Sequence, residues 1–246
     1  MNDKVKFGLK EISKKTKPQK VSDIFSTVSD KYDLMNDFMS FGLHRKWKDK
    51  MIQVCEPQSK SNAIDIATGS GDIALGLLKK NNNLSLTCLD NNKEMLELSK
   101  NKLMDKGYIK NLRFILSSAE KIKLDENSYD LATIAFGFRN FTDHLKALSH
   151  IYKILKPGGK LVIMEFSKPK KPLMNKLFKE FTFKIIPKIG DIVANDIDSY
   201  NYLAESIESY YSPPEVTEML GQKGFIKTNY MYIFNEVVTI HTGYKS

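Results

Sequence analysis

Apolar positions between residues 62 and 167 fall in short runs separated by segments with helical spacing. "AIDIA" (63–67), "LSLTCLD" (84–90), "LRFILS" (112–117), "YDLATIAFG" (129–137) and "KLVIMEF" (160–166) read as five strands. Among them lie three helical patterns. "GDIALGLLKK" follows the first strand, and "NKEMLELSKNKLMDKG" follows the second and ends at Gly107. "HLKALSHIYKILKPGG" precedes the fifth strand and is stopped by Pro157 and Gly158. Strands and helices alternating at this spacing predict a parallel sheet with right-handed crossovers. Beyond it, a helical stretch over about 173–186 and a loop lead to "PPEVTEMLGQKGF", a helix with Ser212 as N-cap and Pro213 in its first position. Two β-rich runs, "IKTNYMYIF" and "EVVTIHTGY", are separated only by Asn235 and close the chain as a hairpin. The expected fold is α/β, a seven-stranded mixed sheet with helices on both faces.

Composition narrows the class. The 246 residues are 41% hydrophobic and 27% charged, which suits one soluble globular domain. The N-terminus lacks a secretory core and no apolar run reaches bilayer length, so a cytoplasmic protein is expected. Cys55 and Cys88 are far apart and in no metal-ligand spacing; no metal is expected. The formal charge of +9 is unevenly placed. Residues 1–20 hold seven lysines against Asp3 and Glu11, and residues 168–188 hold seven against Glu180, so the rest of the chain is close to neutral. Outlying lysine segments suit an anionic surface; a nucleic-acid groove would put the charge at the strand ends. No nucleic-acid partner is expected.

The loop after the first strand, "DIATGSGDIA", carries the first chemistry. Gly69 and Gly71 let backbone approach a ligand closely, and Ser70 lies between them. Asp90 ends the second strand, where a carboxylate can accept both ribose hydroxyls. Asp65, inside the first strand, needs a polar or cationic partner if it is buried. A ligand amine, or water leading to one, suits it, whereas a pyrophosphate would be repelled. That favours the aminoacyl end of S-adenosylmethionine over a dinucleotide. "SSAEKIKL" (117–124) follows the third strand, where the Ser118 side chain and Ala119 amide can read an adenine edge. These pieces predict a class I, Rossmann-like S-adenosylmethionine-dependent methyltransferase.

One stretch ahead of the first strand, "YDLMNDFMSFGLHRKW" (32–47), is unusually rich in polar and aromatic groups. Its Tyr32, Asp33, Met35, Asn36, Met39, Ser40, His44 and Trp47 resemble, position for position, the N-terminal signature of the ubiquinone/menaquinone biosynthesis C-methyltransferases, the UbiE/MenG/Coq5 family. A second signature also matches, through Leu155-Lys156-Pro157-Gly158-Gly159, Glu165 and Ser167, departing at Lys153 and Ile154. "FGFRNFTD" (136–143) and "ANDIDSYNYLAESI" (194–207) are similar to family segments, and the likeness runs from about residue 21 to Lys245. Ser70 matches the family pattern. Ser118 stands where the family usually has Asn, and Ala135 where bacterial members often have Ser.

The resemblance implies methyl transfer to a ring carbon of a polyprenylated quinol, benzoquinol or naphthoquinol. It gives Arg139 the task of stabilising an oxyanion or orienting a water, Asn140 that of holding the same oxygen, and Tyr32 that of relaying a proton or positioning the ring. The domain plan is then a basic arm (1–20) and one methyltransferase domain (21–246). That domain divides into a helical lid (21–55), a nucleotide-binding core (62–167), an acceptor or membrane insertion (168–212) and a C-terminal helix with hairpin (213–246). In the insertion, Leu173, Met174, Leu177, Phe178, Phe181 and Ile185 fall on one helical face, interrupted by Lys184, with lysines opposite. Such a helix suits peripheral binding at the inner face of the cytoplasmic membrane; it equally suits a cover for the acceptor pocket or a contact in a homodimer or quinone-biosynthesis complex. The rival readings are a methyltransferase for another lipid or phenol and a non-catalytic S-adenosylmethionine-binding scaffold.

Overall fold

A computed structural model describes residues 3–29, 35–37 and 40–246. Its centre is the seven-stranded sheet, with strand order β5-β4-β3-β6-β7-β9-β8. The strands are β3 (Asn62–Ile66), β4 (Ser85–Asp90), β5 (Leu112–Leu116), β6 (Tyr129–Ala135), β7 (Leu155–Phe166), β8 (Phe225–Ile233) and β9 (Val238–Lys245). β3 to β7 are mutually parallel, and β9 runs antiparallel between β7 and β8. The order steps outward in both directions from β3 and β6, so a crevice opens at their carboxyl ends, where ligands bind in such sheets.

Alternation along the central strands sends side chains to opposite faces. Ile64 and Ile66 join one buried cluster with Ala132, Ile134, Leu148 and Leu220. Ala63 joins the other with Leu77, Leu86, Leu131 and Val162. The first face is covered by α5 (His144–Ile154) and α9 (Pro213–Gln222), the second by α2 (Leu43–Cys55), α3 (Asp72–Lys80) and α4 (Lys93–Asp105). Helix starts are fixed locally. The Asn92 side chain accepts from Met95 N at 2.8 Å, the Asp143 side chain accepts from Lys146 N at 3.0 Å, and α9 begins at Pro213, as expected.

Three elements differ from the sequence reading. Residues 1–20, read as a basic arm, hold a hairpin of β1 (Lys4–Phe7) and β2 (Lys10–Ser13) and the start of α1 (Lys17–Val28). Phe7 stacks on Tyr202 with ring centroids 4.4 Å apart, and Leu9 N donates to Glu205 at 3.2 Å, so the hairpin is docked. The stretch read as one helix and a loop is three helices, α6 (Pro172–Glu180), α7 (Ile186–Ala194) and α8 (Ile197–Glu208), with a π-helical turn at Phe181–Ile185. Finally, β7 begins at Leu155. Its register with β6 jumps from Tyr129↔Leu155 to Leu131↔Lys160 across the Pro157-Gly158 turn. α1, α7 and α8 roof the carboxyl edge of the sheet, meeting in a third cluster that includes Val28, Ile186 and Tyr200.

Candidate active site

Two adjoining cavities lie at the carboxyl edge of the sheet. The larger, about 410 Å³, sits under α2, α6, α7 and α8; the narrower, about 80 Å³, sits between the ends of β3, β4, β5 and β6. Phe25, Ala67, Gly69, Ala135 and Phe136 line both, so the two communicate.

The narrow cavity holds Asp90, Ser118, Ala119 and Asn140. Asp90 is buried; its carboxylate accepts from Gly69 N at 2.8 Å and from Asn92 N at 2.9 Å. Those amides fasten the glycine loop to the end of β4. The Asn91 amide also supports this carboxylate, whose remaining acceptor capacity is open to ribose hydroxyls. Burial raises the Asp90 pKa against this amide support. Ser118 begins a 3-10 turn that buries Ala119.

The glycine loop itself is built for close approach. Gly69 (φ +54°) has nothing within 4 Å of where a Cβ would sit, whereas a Cβ on Gly71 (φ +83°) would lie 2.5 Å from Ser99 Oγ. Gly69 is therefore bare toward the cavities and Gly71 is bare toward α4. Ser70 is buried on the large cavity and accepts from Lys102 Nζ at 3.2 Å.

Asp65 lies inside β3. It is buried and borders the large cavity, but hydroxyls satisfy it: Thr68 Oγ1 and Thr133 Oγ1 each donate at 2.7 Å. Thr133 is its direct partner across the β3–β6 pairing. Desolvation outweighs the two hydroxyls, and its pKa is pushed up to about 6.

Arg139 and Asn140 are consecutive, yet they divide between the cavities. The Arg139 side chain borders the large cavity and is 6% exposed; its Nη1 lies 3.0 Å from Oε1 of Glu165, which is fully buried. Nη1 also donates to the Phe136 carbonyl and Nε to Ser206 Oγ at 3.2 Å. Among the described residues Nη2 makes no such bond, and it is the part of the fork with hydrogens to offer a substrate oxygen. Asn140 lines the narrow cavity. Its Oδ1 accepts from Tyr202 Oη at 3.0 Å, and its buried Nδ2 has no partner among the described residues. The expectation that both side chains hold one acceptor oxygen is not met by this geometry.

Tyr32, Asp33 and Met39 lie outside the described residues. Of the rest of the signature, Met35 is buried, and Asn36, Ser40, His44 and Trp47 border the large cavity. His44 Nε2 and Asp37 Oδ1 are 2.8 Å apart, and Arg45 donates twice to the same carboxylate, which holds Asp37 well below the usual carboxylate range. Burial lowers the His44 pKa. Sequence reasoning missed the aromatic wall. Phe136 and Phe166 lie 4.6 Å apart, and Trp47 stands against Phe136, Phe166 and Phe234 at 5.6–6.3 Å. It also missed Glu165 as the partner of Arg139, although a carboxylate inside the apolar run "VIMEF" was a signal that a cation must meet it.

A parallel sheet of this order, a bare glycine loop, a buried acid at the end of the neighbouring strand and a joined apolar cavity define a class I S-adenosylmethionine-dependent methyltransferase. The fold agrees with solved structures. A SAM-dependent methyltransferase from Aquifex aeolicus superposes with TM-score 0.58 at 19% identity, over 81% of this chain and 89% of that one. Phosphoethanolamine N-methyltransferase 2 of Haemonchus contortus, solved with S-adenosyl-L-methionine, superposes with TM-score 0.62 at 16% identity, over 81% and 52%. The methyl donor is S-adenosylmethionine, and the open space at Gly69 fits it. The model of the ubiE/COQ5 methyltransferase family matches residues 13–245, and the chain belongs to that family. Among its relatives, the ubiquinone/menaquinone biosynthesis C-methyltransferase UbiE of Rickettsia bellii (strain RML369-C) is 46% identical over 243 residues, 97% of this chain and 98% of the relative.

Proposed function

We propose that this chain methylates a ring carbon of a polyprenylated quinol. It would convert a demethylmenaquinol to a menaquinol, a 2-polyprenyl-6-methoxy-1,4-benzoquinol to its 3-methyl derivative, or both. The observation that carries this reading is the aromatic-walled cavity of about 410 Å³ that opens onto the donor cavity beside Arg139. The relatives' name supports the same acceptor class.

S-adenosylmethionine supplies an electrophilic methyl group. The acceptor has to be the reduced ring, because a hydroquinone oxygen pushes electron density onto the ortho carbon and a quinone does not. An unperturbed phenol has pKa about 10, so charge on the ring oxygen needs help at neutral pH. Arg139 stays charged and can stabilise that oxygen or order a water. Trp47, Phe136 and Phe166 fix the ring plane and exclude water.

A prenyl tail keeps the acceptor in a bilayer, and α6 to α8 suit peripheral attachment to it. The apolar stripe of α6 and the π-turn divides into two sets. Met174, Phe178 and Phe181 line the cavity, whereas Leu173, Leu177 and Ile185 are exposed, as is Ile192 at 84%. Lysines 170, 171, 176, 179, 184 and 188, all exposed, are interspersed with this set along the sequence. This pattern favours an anionic lipid surface with the cavity mouth turned toward it.

The test is product mass after incubating the chain with S-adenosylmethionine and short-tailed demethylmenaquinone or methoxy-benzoquinone, each with and without chemical reduction. Gain of one methyl only under reduction is expected. No gain on either reduced ring, from protein that binds the donor, overturns the acceptor class.

A further inference from the structure

Asn92 is 1% exposed, and its side chain is shared between two helices. Its Oδ1 accepts from Met95 N at 2.8 Å and caps α4. Its Nδ2 serves α1 instead, lying 3.0 Å from the Ser22 carbonyl, 3.1 Å from Ser22 Oγ and 2.8 Å from Ser26 Oγ. Ser26 Oγ in turn donates to Glu94 Oε2 at 3.1 Å, so α1 is tied to the first turn of α4. A cap needs only the acceptor oxygen. The bonds to α1 use the amide hydrogens, which an aspartate or serine cap would lack or supply only singly.

The same residue reaches the donor site. Asn92 N donates to Asp90 Oδ1 at 2.9 Å, and Gly69 N donates to Asp90 Oδ2 at 2.8 Å. Pro18, Val21 and Phe25 of α1 line the narrow cavity together with Asp90, whereas Ser22 and Ser26 line neither cavity. With α1 in place the narrow cavity measures about 80 Å³, against about 300–1,000 Å³ for small-molecule pockets. A wall must therefore move to admit a nucleoside. Most of that wall is the ends of the sheet strands and the loops that leave them. α1 is a separate helix resting on it, held at its start by Lys17 Nζ on the Phe141 carbonyl at 2.8 Å and further along by Asn92.

We propose that Asn92 is a positioning residue that couples the methyl-donor site to α1: α1 opens to admit the donor, and the Asp90–Asn92 turn holds it shut once Asp90 has accepted from the ribose. Acceptance from the ribose hydroxyls fixes the Asp90 carboxylate. Its bond to Asn92 N then fixes the turn on which the amide stands. The entropy of ordering that turn is lost once for both contacts, and this is the source of the coupling. Closure brings Pro18, Val21 and Phe25 over the donor cavity and excludes water from it. This assignment rests on the identity of the donor and is independent of which ring is methylated.

The experiment is hydrogen exchange of α1 in the full chain, with and without saturating S-adenosylhomocysteine, paired with calorimetric titration of the same ligand. The double variant Ser22→Ala, Ser26→Ala removes two of the three acceptors of the Asn92 amide. It leaves the cap on α4, the bond to Asp90 and the cavity lining in place. In the parent, ligand is expected to slow exchange across α1 by about tenfold, within the usual range of coupling between two sites. The double variant should lose most of that slowing and bind S-adenosylhomocysteine about fivefold more weakly, because the coupling is reciprocal. Ser26→Ala alone is the second variant if the pair does not fold, with a smaller loss of both readings. Exchange of α1 that does not respond to ligand in the parent overturns the proposal. A folded variant that binds and protects α1 as the parent does also overturns it and leaves Asn92 as a helix cap. Faster exchange by the same factor with and without ligand, at unchanged affinity, overturns it too and makes these bonds structural only.

Discussion

Tyr202 Oη donates to Asn140 Oδ1 at 3.0 Å, and this bond spans the two cavities: Tyr202 lines the acceptor side, Asn140 the donor side. The opposite face of the Tyr202 ring is stacked on Phe7. Tyr202→Phe removes the hydroxyl and leaves the amide of Asn140 without its partner among the described residues. We expect kcat/KM to fall on the order of tenfold, the scale of one buried hydrogen bond left unmade, with little change in melting temperature. Steady-state kinetics on a reduced short-tailed acceptor checks it; an unchanged rate would mean the bond positions nothing.

Glu165 and Arg139 form a buried pair, so removing one partner strands the other. Glu165→Ala is expected to cost about 3–5 kcal/mol in urea unfolding. Arg139→Lys should not restore activity, because a point charge cannot reproduce the fork that meets Glu165, Ser206 and the Phe136 carbonyl at once.

The two loop glycines should fail differently. In Gly69→Ala the added Cβ enters open space, so only the positive φ is strained, at about 1–2 kcal/mol. The variant should fold and bind S-adenosylhomocysteine more weakly. Gly71→Ala meets Ser99 at 2.5 Å and forces α3 from α4, so it should lose thermal stability first. Paired melting and titration curves separate the two.

His241 is buried on β9 with neither ring nitrogen hydrogen-bonded among the described residues, and burial lowers its pKa from 6.5 to about 4. The unfolded chain therefore binds a proton that the folded chain refuses, and stability falls as pH drops from about 6.5 toward 4. His241→Leu removes this dependence. Its stability relative to the parent should improve by about 2 kcal/mol between pH 8 and pH 5, read from urea midpoints at each pH. Equal differences at both values would show that the histidine is not held neutral.

Leu173 and Leu177 are exposed and line neither cavity. Replacing both with Asp should abolish sedimentation with anionic vesicles and leave turnover of a short-tailed acceptor within about twofold, since the change is at an exposed surface. Loss of turnover with vesicle binding retained would place this face at the cavity rather than at lipid.

Much of the architecture follows from local pattern. The short apolar or β-rich runs and the helical spacing between them predict all seven sheet strands, because parallel strands covered on both faces are written as continuous apolar runs. The glycine loop, Asp90, Ser118 and Ala119 are legible for a related reason: a βα turn brings them to the same sheet edge whatever the rest of the chain does. The N-terminal hairpin was not legible, since four-residue strands such as "KVKF" carry no apolar run and are held by docking on Tyr202 and Glu205. Nor was α8, whose polar spacing resembles a loop until its tyrosines meet the roof.

What the sequence determined by itself is thus the order of elements and the identity of the loop chemistry, both set by neighbours in the chain. Pairings between distant residues were decided only by tertiary structure. It paired Asp65 with the hydroxyls of Thr68 and Thr133. It gave Arg139 to Glu165 and Asn140 to Tyr202, and it divided one apolar stripe of α6 between a cavity and the exterior. Each of these depends on which burial and charge each side chain meets across the fold, and spacing along the chain does not encode that.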